Sequence, residues 1–141
     1  MKKLLFLLVA VTCHWLASPM AHAAAPTNEQ AARAAAEEWL PLVDGEKYLE
    51  SWQKLDPAFA KKVGKKKWMS SMTEIRGRVG KFGSRKFNSA DYTKELPGAP
   101  EGEYVIVRFD CVFEKKTTAT EKVTLILGRD LYWHVAGYAV K

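Results

Sequence analysis

The stretch from Glu103 to Glu114, E-Y-V-I-V-R-F-D-C-V-F-E, constrains this chain more than any other. Successive side chains of a strand point to opposite faces. Val105, Val107, Phe109, Cys111 and Phe113 therefore form one wholly apolar face, and Tyr104, Arg108 and Asp110 lie on the other. An uninterrupted apolar face must be covered by a second layer, while a polar reverse face is the mark of an antiparallel sheet with one side in water.

The neighbouring segments supply three more strands. Ser84 to Glu95 reads as an edge strand with a bulge, and Leu96 to Gly102 as a loop. Thr120 to Leu127 puts Val123, Leu125 and Leu127 inward, and Tyr132 to Val140 does the same with Trp133 and Val135. Gly137, in the middle of that last strand, signals a bulge or a close backbone contact. Lys115-Lys116-Thr117 and Gly128-Arg129-Asp130 are the turns between strands.

The covering layer comes from the first half of the chain. Thr27 and Gln30 have the spacing of a capping box. The alanine-rich run behind them favours helix and sets Ala32, Ala35, Ala36, Trp39 and Val43 along one side. Pro41 predicts a kink or an early end. Asp44-Gly45 is a turn, after which Tyr48, Trp52 and Leu55 mark a second helix. Asp56-Pro57 opens a short third segment with Phe59 and Val63 as its contacts, and Trp68, Met72, Ile75 and Val79 mark a helix from Lys66 to about Val79. Gly80 is its natural left-handed cap. The order predicts an α+β fold, with N-terminal helices packed on one face of a curved four-stranded antiparallel sheet, a cone-like two-layer domain. Trp39 and Trp52 are expected to face Phe109, Leu125 and Trp133 across its core.

The first residues have another logic. Lys2 and Lys3 precede an apolar run from Leu4 to Leu16, and Ala21-His22-Ala23 offers small residues to a signal peptidase. The expectation is a signal peptide over 1–23, a single domain over 24–141, and a periplasmic or secreted destination. The rival reading is a lipoprotein acylated at Cys13, against which Thr12 stands as a poor preceding residue. The run is too short for a spanning helix, so no transmembrane segment is expected after cleavage. Cleavage leaves Cys111 as the one cysteine and excludes an internal disulfide. Its bland role is a small buried strand residue.

Charge is distributed unevenly. Without Lys2 and Lys3, 20 basic and 16 acidic residues give +4. Residues 61–86 hold ten Lys and Arg against Glu74 alone. Lys61, Lys62, Lys65, Lys66 and Lys67 form the densest part, read either as a solubilising face or as a patch for an acidic envelope component. Nucleic acid is a poor partner outside the cytoplasm. No metal or cofactor is expected, because only His134 follows the leader and it has no Cys or His at ligand spacing. Alternation separates Cys111 from His134, which weakens a nucleophile–base pair. G-R-V-G-K-F-G, from Gly77 to Gly83, lacks the Ser or Thr after lysine of a phosphate loop and follows a helix instead of a strand.

Several stretches taken together resemble a known family. These are A-A-E-E-W-L-P-L-V-D-G-E-K-Y-L-E-S-W, Trp68, Arg76 to Gly80, Arg85-Lys86, L-P-G-A-P-E-G-E-Y-V-I-V-R-F, Thr120 to Val123, and the final Y-W-H-V-A-G-Y-A-V. The pattern is similar to domain of unknown function 4019, a family of small secreted bacterial proteins. The resemblance implies no activity, and the fold it suggests is similar to the nuclear-transport-factor-2-like and cystatin-like cones. In this pattern Asp44, Arg76 and Arg85 sit between aromatic residues. One reading makes them structural, as a cap and an ion pair across the helix–sheet seam. The other makes them, with Tyr48 and Tyr138, the lining of a pocket in which an arginine reads a small anionic ligand. The expected function is a non-catalytic binding or structural module; the alternative is an enzyme acting on an anionic small molecule in that pocket. A homodimer through the outer sheet face, carrying Tyr104, Ile106, Tyr132 and Tyr138, is a further expectation.

Overall fold

The computed structural model describes residues 24–141. The expected leader, with Cys13 and the cleavage point after Ala23, lies outside the described residues. Helix α1 (Asn28–Asp44) opens on the capping box read from the sequence: the Gln30 N–H donates to Thr27 Oγ1, and the Thr27 N–H to Gln30 Oε1. Its buried stripe is Ala32, Ala36, Trp39, Leu40 and Val43. Of the kink or early end expected at Pro41, the early end does not occur, and the helix runs on to Asp44. Pro41 sits on the solvent side between buried Leu40 and Val43, and water can serve the carbonyl left without an N–H.

Three further helices complete the layer: α2 (Tyr48–Gln53), α3 (Pro57–Val63) and α4 (Lys65–Val79). Asp56 caps α3 by accepting from the Phe59 N–H at 2.9 Å. Gly80 ends α4 with φ +78, the positive value expected, but with ψ −163 instead of a left-handed helical turn. Leu55 leaves the helical layer to make a single bridge to Val135.

The sheet is an antiparallel meander, β1 (Phe82–Thr93), β2 (Tyr104–Phe113), β3 (Lys116–Leu127) and β4 (Trp133–Val140), in spatial order β1-β2-β3-β4. The apolar face of β2 is buried at all five positions. The helices cover it, giving the α+β architecture. Trp39 and Trp68 meet edge to face at 6.1 Å, and both indole N–H groups donate to buried Ser51, to its carbonyl and its hydroxyl respectively. Trp52 does not join them in the centre. It is half-buried against α3, where its N–H donates to the Ala60 carbonyl.

A bulge in β4 reverses the inside and the outside of that strand. Thr124 pairs with Gly137 and Leu125 with Val135, so Ala136 is the extra residue. Tyr138 consequently points inward, 5.6 Å from Trp39, and not to the outer face. Tyr104 does face outward but is covered by its own loop, with its hydroxyl donating to the Pro100 carbonyl at 2.7 Å. Tyr132 lies in the turn before β4. Of the four side chains expected on an outer dimer surface, Tyr104 and Ile106 face outward, the first buried and the second half-buried. Among the described residues no helix is long and apolar enough to cross a membrane.

Candidate functional site

The polar residues singled out from the sequence converge under the C-terminal end of α1. Asp44 is the last residue of α1, Arg76 lies in the last turn of α4, Arg85 near the start of β1, and Tyr138 beyond the bulge of β4. A fifth member, Glu121 on β3, was not anticipated. It is completely buried. The signal was available in the alternation of β3, since Glu121 precedes inward Val123 and Leu125 by two and four residues.

The five side chains close a ring. Asp44 Oδ1 accepts from Arg76 Nη2 at 3.1 Å and from Arg85 Nη2 at 3.0 Å, while Oδ2 accepts from Arg85 Nη1 at 2.9 Å. Arg85 Nε donates to Glu121 Oε2 at 2.5 Å. The Tyr138 hydroxyl donates to Glu121 Oε1 at 2.6 Å and accepts from Arg76 Nη1 at 3.2 Å. Two carboxylates face two guanidiniums, so the ring carries no net charge. The guanidiniums also stack on aromatic faces, Arg85 4.4 Å from the Phe82 centroid and Arg76 4.9 Å from that of Phe113. Among the described residues no buried side-chain nitrogen or oxygen lacks a partner.

Protonation follows from this packing. Burial alone would lower the Arg85 pKa, but the hydrogen bonds to Asp44 and Glu121 more than offset it and hold the guanidinium charged. Burial, then the Glu121 carboxylate, pushes the Tyr138 phenol well above its usual value. The Cys111 thiol lies 3.4 Å from Glu121 Oε2 and is pushed up to about 12 by burial and then by that carboxylate. It is therefore a protonated donor and not a nucleophile. His134 has no part in the ring, and its Nε2 pairs with Asp130 at 2.9 Å. The Asp130 carboxyl is held below its usual range by the Tyr132 N–H and then by His134.

The ring fills the place where an interior pocket was expected. What remains open is its rim. Two shallow hollows of about 440 and 410 Å³ share Glu46, Arg76, Gly80 and Lys81, and Tyr48 borders the second. Tyr48 is thus a rim residue, its phenol raised by burial and by Glu46. Lys61, Lys62, Lys65, Lys66 and Lys67 are all exposed at the junction of α3 and α4. The surface charge is smaller than the count over 61–86 implied, because Arg76 and Arg85 are spent inside the ring. Gly77 to Gly83 spans the end of α4 and the start of β1, with no phosphate-loop geometry. Among the described residues no three His, Cys, Asp or Glu side chains gather as metal ligands.

No curated protein matches the chain. The family model described as protein of unknown function (DUF4019) matches residues 35–138, a span that holds all five ring residues and ends on Tyr138. The chain therefore belongs to the DUF4019 family.

Proposed function

We propose that this chain is an exported domain, periplasmic or secreted, that has no catalytic role and meets its partners at its surface. The observation that carries this reading is the closed ring. Each arginine that could have received a small anion already faces a carboxylate, and each carboxylate that could have moved a proton already accepts from arginine. A buried, fully satisfied and neutral network holds one packing in place. The alternative, an enzyme acting on an anionic small molecule in a pocket lined by Asp44, Arg76, Arg85 and Tyr138, would have to open this ring and leave charges unpaired. The partner is accordingly an acidic component of the cell envelope, met outside the ring.

Two measurements test this. Residues 1–23 placed ahead of a reporter enzyme that becomes active only after export should yield active reporter; an inactive reporter retained in the cytoplasm refutes export. Thermal melts of residues 24–141 with phosphate, citrate and sugar phosphates should not move. A saturable rise in melting temperature with any of them would restore the interior-pocket reading.

A further inference from the structure

We propose that the corner between α3 and α4 docks on an anionic phospholipid surface. The inference depends on the exported, surface-acting role above and names the partner. Five ammonium groups lie within seven residues, on two helices that share Gly64 as the last cap of one and the first of the next. Gly64 has φ +73, and this sharp junction brings Lys61 and Lys62 next to Lys65, Lys66 and Lys67. All five are exposed, and among the described residues none is ion-paired.

Lys61 and Lys62 suit the last turn of α3, but the α4 half of the cluster is poor design for stability. Three cations occupy the first turn of α4, where the helix dipole favours anions, and Gly64 offers no capping side chain. Local rules are broken in this way at functional positions more often than elsewhere. The base beneath is rigid: Trp68 donates to the Ser51 hydroxyl and Trp52 to the Ala60 carbonyl.

The geometry selects a membrane over other polyanions. The five exposed lysines stand on both sides of the sharp Gly64 junction, and an exposed corner of this kind suits a plane better than a chain that needs a groove. Lysine is a point charge without the fork by which arginine reads single sulfates or carboxylates. Trp68 is buried, so it offers no face on which a sugar or base could stack. Met69, partly exposed on the next turn, is the apolar side chain at headgroup depth.

Co-sedimentation of residues 24–141 with vesicles tests the proposal. Binding is expected to phosphatidylcholine vesicles containing one third phosphatidylglycerol and not to phosphatidylcholine alone, with loss at high salt. Lys66→Gln with Lys67→Gln should weaken it about 25-fold, or about fivefold per charge. Lys115→Gln with Lys116→Gln, at the end of the β2–β3 turn and the first residue of β3, should leave it unchanged. Lys65→Glu with Lys66→Glu should abolish binding while melting at or above the wild-type temperature, which separates lost docking from lost folding. Equal sedimentation with neutral vesicles overturns the proposal. So does an equal loss from the Lys115/Lys116 pair, or retention on soluble heparin without any vesicle binding. Any such failure leaves the export reporter and the ligand melts, and the reading they test, unaffected.

Discussion

Glu121→Gln keeps the shape of a side chain that is completely buried and removes one charge from a ring holding two of each sign. Two guanidiniums would then share Asp44 alone. The amide would also turn an N–H₂ toward either Arg85 Nε or the Tyr138 hydroxyl, both of which donate to Glu121 in the native fold. Breaking a buried pair by removing one partner costs about 3–5 kcal/mol. Against a total stability of about 5–15 kcal/mol, that is about a fifth or more of what holds a domain of this size together. Arg85→Met should cost a similar amount, since it strips Asp44 and Glu121 together. The double variant leaves Asp44 and Arg76 as one balanced pair, so its cost should fall short of the sum of the singles by about 1–3 kcal/mol. Urea unfolding followed by circular dichroism and tryptophan fluorescence reads this as a midpoint lowered by about 2 M in each single variant. Strictly additive costs, or a Glu121→Gln variant within about 0.5 kcal/mol of wild type, would refute the ring as a coupled unit.

Other perturbations probe the rest of the fold. Ser51→Ala removes the acceptor of the buried Trp68 N–H and should cost about 1–3 kcal/mol, seen with a shift in tryptophan emission. Trp52→Ala should cost about 2 kcal/mol by thermal melt, less than the ~3–5 of a fully buried tryptophan, because its ring is half-buried at the side of α3. The Cys111 thiol, at about 12 when folded, keeps its proton while the unfolded chain ionises. Its contribution is therefore complete below about pH 8.5 and is lost as pH climbs toward the folded value. Cys111→Ala should flatten the fall of the urea midpoint between about pH 8.5 and 10; an unchanged slope would mean that the thiol ionises as readily folded as unfolded.

Much of this architecture was legible because it depends on short-range rules. A capping box three residues apart placed the start of α1. Alternation alone picked out the buried face of β2, all five residues of it. The same rule pointed at Glu121, yet a glutamate at an inward position reads locally as the edge of a strand. Nothing within ten residues of Glu121 explains its burial except Cys111, and the charge that neutralises it comes from Arg85, 36 residues away. Tyr138 was read both as a pocket residue and as part of the outer face, and the inward placement holds because one extra residue, Ala136, inverts everything beyond it. The early helix end allowed for at Pro41 does not occur, because a helix rule cannot tell which side of the helix faces water.

The sequence by itself determined the elements, their order and the apolar faces that bring helices and sheet together, since these follow from periods of two and of about 3.6 residues written along the chain. It also marked Asp44, Arg76, Arg85 and Tyr138 as worth watching. Only the tertiary structure decided that they meet one another. Their pairing depends on the approach of five separate elements, and a buried charge is tolerable only where the opposite charge arrives from elsewhere in the fold.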